Sequence, residues 1–105
     1  MISVCFIRSS GSLTGFELSG HSGFAQEGSD IVCAAVSSAA YMTANTVTEI
    51  LGLPAQLSVD EAFMSMKLST KNAMKAQDVL RGFELHLMEL SQQFNSNITV
   101  NYSEV

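Results

Sequence analysis

Apolar side chains take every second position from the N-terminus: Ile2, Val4 and Phe6, interleaved with Ser3, Cys5 and Ile7. After Ser9-Ser10-Gly11-Ser12, Phe16 and Leu18 alternate in the same way with Glu17 and Ser19. A period of two is what a half-buried strand requires, and the serine-glycine cluster is a turn, so this region predicts a β-hairpin. Residues 20–28 carry Gly20, Gly23 and Gly28 with little periodicity, which reads as a mobile loop. From Ile31 the pattern becomes an alanine-rich run to about residue 51. Asp30 stands where a helix N-cap belongs, and Gly52 and Pro54 stand where a helix must stop. Leu57 and Val59, then Met64, Met66 and Leu68, alternate on either side of Asp60-Glu61 and predict a second hairpin. Ala76, Val79, Leu80, Phe83, Leu87, Leu90 and Phe94 keep helical spacing, so one long helix is expected over about 71–94 with this stripe on a sheet. Ile98, Val100 and Tyr102 close the pattern as a last strand.

The resulting order, ββαββαβ, predicts a single α+β domain over residues 1–105, with a mixed sheet and two long helices packed on one face. With 47% hydrophobic residues the chain can build one core. Leu85 and Met88 fall beside the second helix's stripe, and the first helix is apolar over much of its circumference. That surplus suits a homodimer, or the edges of the monomer core.

The weakly polar run 31–42 is shorter than the ~20 residues of a membrane helix and contains Ser37 and Ser38, so no membrane span is expected. The N-terminus has no basic stretch ahead of an apolar one, which leads us to expect a cytoplasmic protein with free thiols at Cys5 and Cys33. Cys5, in a strand pattern, is expected to be buried. Ten acidic against five basic residues give a charge of −5, which disfavours direct nucleic-acid binding and suits a basic partner.

The chemistry concentrates in two places. His21 lies in the glycine-rich loop, flanked by Gly20, Ser22 and Gly23, and Cys33 follows it by twelve residues at the start of the first helix. Amides in a helix's first turn lack intrahelical partners and carry partial positive charge, so they favour a thiolate and can bind an oxyanion. These residue types support a cysteine hydrolase with Cys33 as nucleophile and His21 as general base. A cysteine among Ile, Val and Ala is also compatible with a structural role in a non-catalytic module. Asp30 either caps the helix or orients His21. Ser37, one turn after Cys33, either meets a substrate or bonds back to its own helix. His86 lies beside the apolar stripe and reads as a packed or edge histidine. Cys5, His21, Cys33 and His86 lack the paired spacing of a zinc module, and the loop lacks the Lys-Ser/Thr of a P-loop, so neither a metal nor another cofactor is expected.

Gly20-His21, Gly28 and Asp30-Ile31-Val32-Cys33-Ala34-Ala35-Val36-Ser37 together resemble the signature of the ribosomal-processing cysteine protease family, Prp, and the likeness in length and element order covers essentially the whole chain. The resemblance implies a bacterial cytoplasmic endopeptidase that removes an N-terminal extension from large-subunit ribosomal protein number twenty-seven. It also implies a homodimer with a flexible loop beside the site, and beside it stands the alternative of a non-catalytic ribosome-assembly or protein-binding module with a structural cysteine. By motif position His21 and Cys33 match the catalytic dyad, and Gly20, Asp30 and Ser37 match positions near it. Ser22-Gly23 stands where alanine is common after the histidine, a departure expected to alter loop stiffness more than chemistry.

Overall fold

In the computed structural model, which describes residues 1–26 and 30–105, the chain runs β1 (Ile2–Ser9), β2 (Ser12–Ser19), α1 (Ile31–Asn45), β3 (Gln56–Asp60), β4 (Phe63–Lys67), α2 (Thr70–Met74), α3 (Gln77–Gln93) and β5 (Ile98–Glu104). The strands form one five-stranded sheet in the order β3-β4-β2-β1-β5. Neighbours are antiparallel except β5, which lies parallel to β1 and is reached from α3. This is the α+β domain with a mixed sheet that the pattern predicts. In the β1–β2 turn both Ser10 (φ 52) and Gly11 (φ 83) are left-handed, a two-residue loop whose twist matches that of the strands.

Alternation places Ile2, Val4, Phe6, Phe16, Leu18, Met64 and Met66 in the core with Val32, Val36 and Ala40 of α1 and Leu80, Phe83, Leu87 and Leu90 of α3. The Phe83 ring sits between those of Phe6 and Phe16, with centroid separations of 5.7 and 4.8 Å. The other parity carries Ser3, Cys5, Glu17 and Lys67, with Lys67 and Glu17 paired at 3.3 Å. Cys5 falls on that parity and is therefore half-buried away from the core, not buried in it as expected. Both cysteines are free thiols.

The first helix has the expected extent, but past Asn45 its geometry changes to a wider π-helical turn, Thr46–Ile50, in which the Leu51 N–H donates to Thr46 O at 2.8 Å, before Gly52 at φ +65 ends it. The whole stretch, Ile31–Ile50, is long and apolar enough to cross a bilayer by length and composition, which the shorter run 31–42 had concealed. Its Val32, Val36, Ala40, Ala44 and Val47 pack into the domain's core. The single helix expected over 71–94 is broken into α2 and α3 at Lys75 and Ala76. The break lets Gln77 face β2: its Nε2 donates to Leu13 O at 2.6 Å and Ala73 O at 2.9 Å, while its Oε1 accepts from Leu13 N at 3.2 Å. Finally, Leu57 and Val59 alternate correctly but stay exposed, because β3 is an edge strand.

Candidate active site

Asp30 begins α1 in extended conformation (φ −82, ψ 100), and its Oδ1 accepts from the Val32 and Cys33 amides at 3.0 Å each. Its second oxygen accepts from the Ser22 hydroxyl. The Ser22 hydroxyl first, then the Cys33 amide, hold the Asp30 carboxyl below the ordinary carboxylate range, so it is a capping anion at neutral pH. Among the described residues no hydrogen bond joins Asp30 to His21, so of its two possible roles the geometry displays the cap. The Ala34 amide donates to the Asp30 carbonyl at 3.1 Å. The Val32, Cys33 and Ala34 amides, expected to serve a thiolate and an oxyanion, are thus engaged by their own cap.

A different donor reaches the Cys33 sulfur. The Ser22 amide lies 3.3 Å from Cys33 Sγ, and Ser22 is 2% exposed. Its hydroxyl, besides donating to Asp30, accepts from Phe24 N at 3.0 Å, and its carbonyl accepts from Asn97 Nδ2 at 2.9 Å. The Phe24 ring stands edge-on to Phe94, 5.7 Å between centroids. The loop enters through Gly20, whose φ of +91 disfavours any side chain and whose added Cβ would lie 2.4 Å from Met1 O. Gly20 N donates to Ala62 O at 2.9 Å, tying the loop to the β3–β4 turn. Within the loop expected to be mobile over 20–28, Gly20, Ser22 and Phe24 make these contacts, while residues 27–29, Gly28 among them, lie outside the described residues.

His21, between Gly20 and Ser22, is exposed, and among the described residues no hydrogen bond joins its ring to Cys33. The fold brings the two residues to the same loop–helix junction without engaging the imidazole. Cys33, Ser37 and Tyr41 form one stripe on α1 and line a groove of about 120 Å³, bordered on its far side by Val59, Asp60 and Phe63 of the second hairpin. Ser37 is exposed into this groove; unlike Thr43, which donates to Ala39 O at 2.8 Å, it makes no bond to its own helix among the described residues. His86 is exposed on α3, not packed as one reading had it, and does not line the groove. Among the described residues no three His, Cys, Asp or Glu side chains gather as a metal site requires.

Pattern reading missed Ser22 and Asn97. Ser22 has a signal, its place beside His21, but the pattern there speaks only to loop stiffness. Asn97 had none, because its partner lies 75 residues away in the chain.

The arrangement fits an accessible thiol beside a groove suited to an extended peptide, and comparison with known proteins agrees. The family model described as "Cysteine protease Prp" matches residues 1–99. The ribosomal processing cysteine protease Prp of Bacillus subtilis (strain 168) is 28% identical over 91 residues, 81% of each chain. A crystal structure from Streptococcus mutans superposes with a TM-score of 0.86 at 31% identity, covering 100% of this chain and 96% of that one. The fold is also that of the S. aureus ribosomal processing protease Prp in complex with a covalently linked product peptide, with a TM-score of 0.90 at 24% identity over 98% of this chain and 100% of that one. The chain belongs to the Prp family of cysteine proteases.

Proposed function

We propose that this protease removes the N-terminal extension of large-subunit ribosomal protein number twenty-seven, with Cys33 as nucleophile and His21 as general base. The observation that carries the reading is the position of Cys33 Sγ: it lines the groove between α1 and the second hairpin, 3.3 Å from the amide of the residue that follows His21. His21 accepts the thiol proton as the sulfur attacks the scissile carbonyl carbon, forming the C–S bond and moving the carbonyl π electrons onto oxygen. The imidazolium then protonates the leaving amine as the C–N bond breaks. Water, deprotonated by the same imidazole, hydrolyses the thioester and restores the thiol. Membership of a cysteine protease family weighs against the alternative of a structural cysteine in a non-catalytic module.

The ribosomal substrate is supported by the name of the B. subtilis relative and by the net charge of −5, which suits a basic protein. A cytoplasmic location follows from that substrate. A homodimer is supported by apolar surface left outside the core, including Leu85 at 62% and Ile50 at 78% exposure. The test is to incubate the purified chain with the unprocessed ribosomal protein of the same genome and read product masses. Cys33→Ala should keep the fold and abolish cleavage, His21→Ala should reduce it severely, and Cys5→Ala should leave it near normal. Full activity in Cys33→Ala removes the assignment.

A further inference from the structure

Among the described residues, the amide that reaches Cys33 Sγ comes from Ser22, not from the helix that carries the cysteine. Ser22 is held at three other points. Its carbonyl accepts from Asn97 Nδ2 at 2.9 Å, and its hydroxyl both donates to Asp30 and accepts from Phe24 N. A residue gripped at its carbonyl and at its side chain has little freedom to turn, so the direction of its N–H is set by those grips. Because Ser22 is almost fully buried, its N–H is offered to the sulfur with little competition from water, and an amide dipole fixed in that direction favours negative charge that appears there.

We propose that Ser22 and Asn97 are positioning residues for the nucleophile: Asn97 from the α3–β5 turn and Asp30 from the helix cap hold Ser22 so that its amide stays on Cys33 Sγ and favours the sulfur's anionic form. This amide does what the Val32, Cys33 and Ala34 amides, taken up by Asp30, do not. The same grip sets where His21 enters the site, since the two residues are adjacent. The inference rests on the reading of Cys33 as the nucleophile.

The titratable groups around the sulfur are Asp30 at its own helix cap, His21 on the adjoining loop, and Tyr41 and Asp60 along the groove. All four are kept unchanged in the test, which uses the full chain carrying Cys5→Ala so that one thiol remains. Cys33 alkylation by iodoacetamide is followed at about pH 6 and about pH 9, where thiolate availability is and is not limiting. Asn97→Ala and Ser22→Ala, which loosen the grip from opposite ends, should each slow alkylation about three- to tenfold at the lower pH and much less at the higher. Ser22→Thr, which keeps the hydroxyl, should restore the rate. In peptide cleavage both alanine variants should lower kcat with KM nearly unchanged. Unchanged ratios of the two alkylation rates in both variants, whatever happens to their melting temperatures, would overturn the proposal and leave Ser22 and Asn97 as loop packing only. That failure is distinct from failure of the nucleophile assignment, which is read separately from cleavage by Cys33→Ala.

Discussion

Asp30 shows how one side chain couples the fold to the site. One of its oxygens takes the Val32 and Cys33 amides and the other takes the Ser22 hydroxyl, so helix start and His21 loop share a single anion. Its folded carboxyl titrates below the ordinary value, so its stabilising effect is complete above the unfolded value of about 3.9 and is lost as pH falls through the lower folded one. Asp30→Ala should therefore melt at a lower temperature than the native chain near neutral pH. The gap should close as pH drops below about 4, which melting curves followed by circular dichroism will show. A gap that persists at low pH would mean that packing, not the ionised cap, is what the substitution removes. Gly20 acts at the same scale by geometry alone, since its left-handed backbone and the Met1 carbonyl beside it leave no room for a side chain at the loop's entry.

Among the elements, the break between α2 and α3 has the clearest physical cause. At the interruption one amide side chain, that of Gln77, pairs with both backbone groups of the buried Leu13 and with the Ala73 carbonyl of α2. Gln77→Ala leaves those groups without that partner and should cost about 1–3 kcal/mol, measured by urea denaturation. Leu13 is the second residue of β2, whereas Ser19 at its other end lines the groove, so Cys33 reactivity should be unchanged in that variant. The β3 edge makes the complementary point. Leu57 and Val59 alternate as core residues would, yet stay exposed, and Val59 forms part of the groove wall.

For the molecule as a whole, charge and apolar surface bear on partners. With a net charge of −5 and the basic ribosomal substrate proposed above, KM for cleavage should rise as salt is increased from about 50 to 300 mM while kcat stays level, because screening weakens encounter and not the chemistry. A KM independent of salt would assign recognition to the apolar groove walls Val59, Tyr41 and Phe63. Light scattering should give the mass of two chains, and Leu85→Glu should shift it toward one if the α3 face forms the interface.

Local chemistry was enough to determine the element order and the core. A period of two marks Ile2, Val4 and Phe6, a period near 3.6 marks Leu80, Phe83 and Leu87, and Asp30, Gly52 and Pro54 punctuate the first helix, because side-chain direction follows backbone geometry over a few residues. The motif around His21 and Cys33 was legible for the same reason, as short-range residue types placed at a loop and a helix start. The tertiary structure alone decided which face of the sheet Cys5 lies on, where the second helix breaks, and that the sulfur's amide donor is Ser22 and not the helix. Each depends on a partner distant in sequence: Leu13 for Gln77, Asn97 for Ser22, and the helices that cover one sheet face and leave the other open. Hydrogen bonds between residues 64 or 75 positions apart leave no periodicity in the chain and arise only when packing brings the groups together.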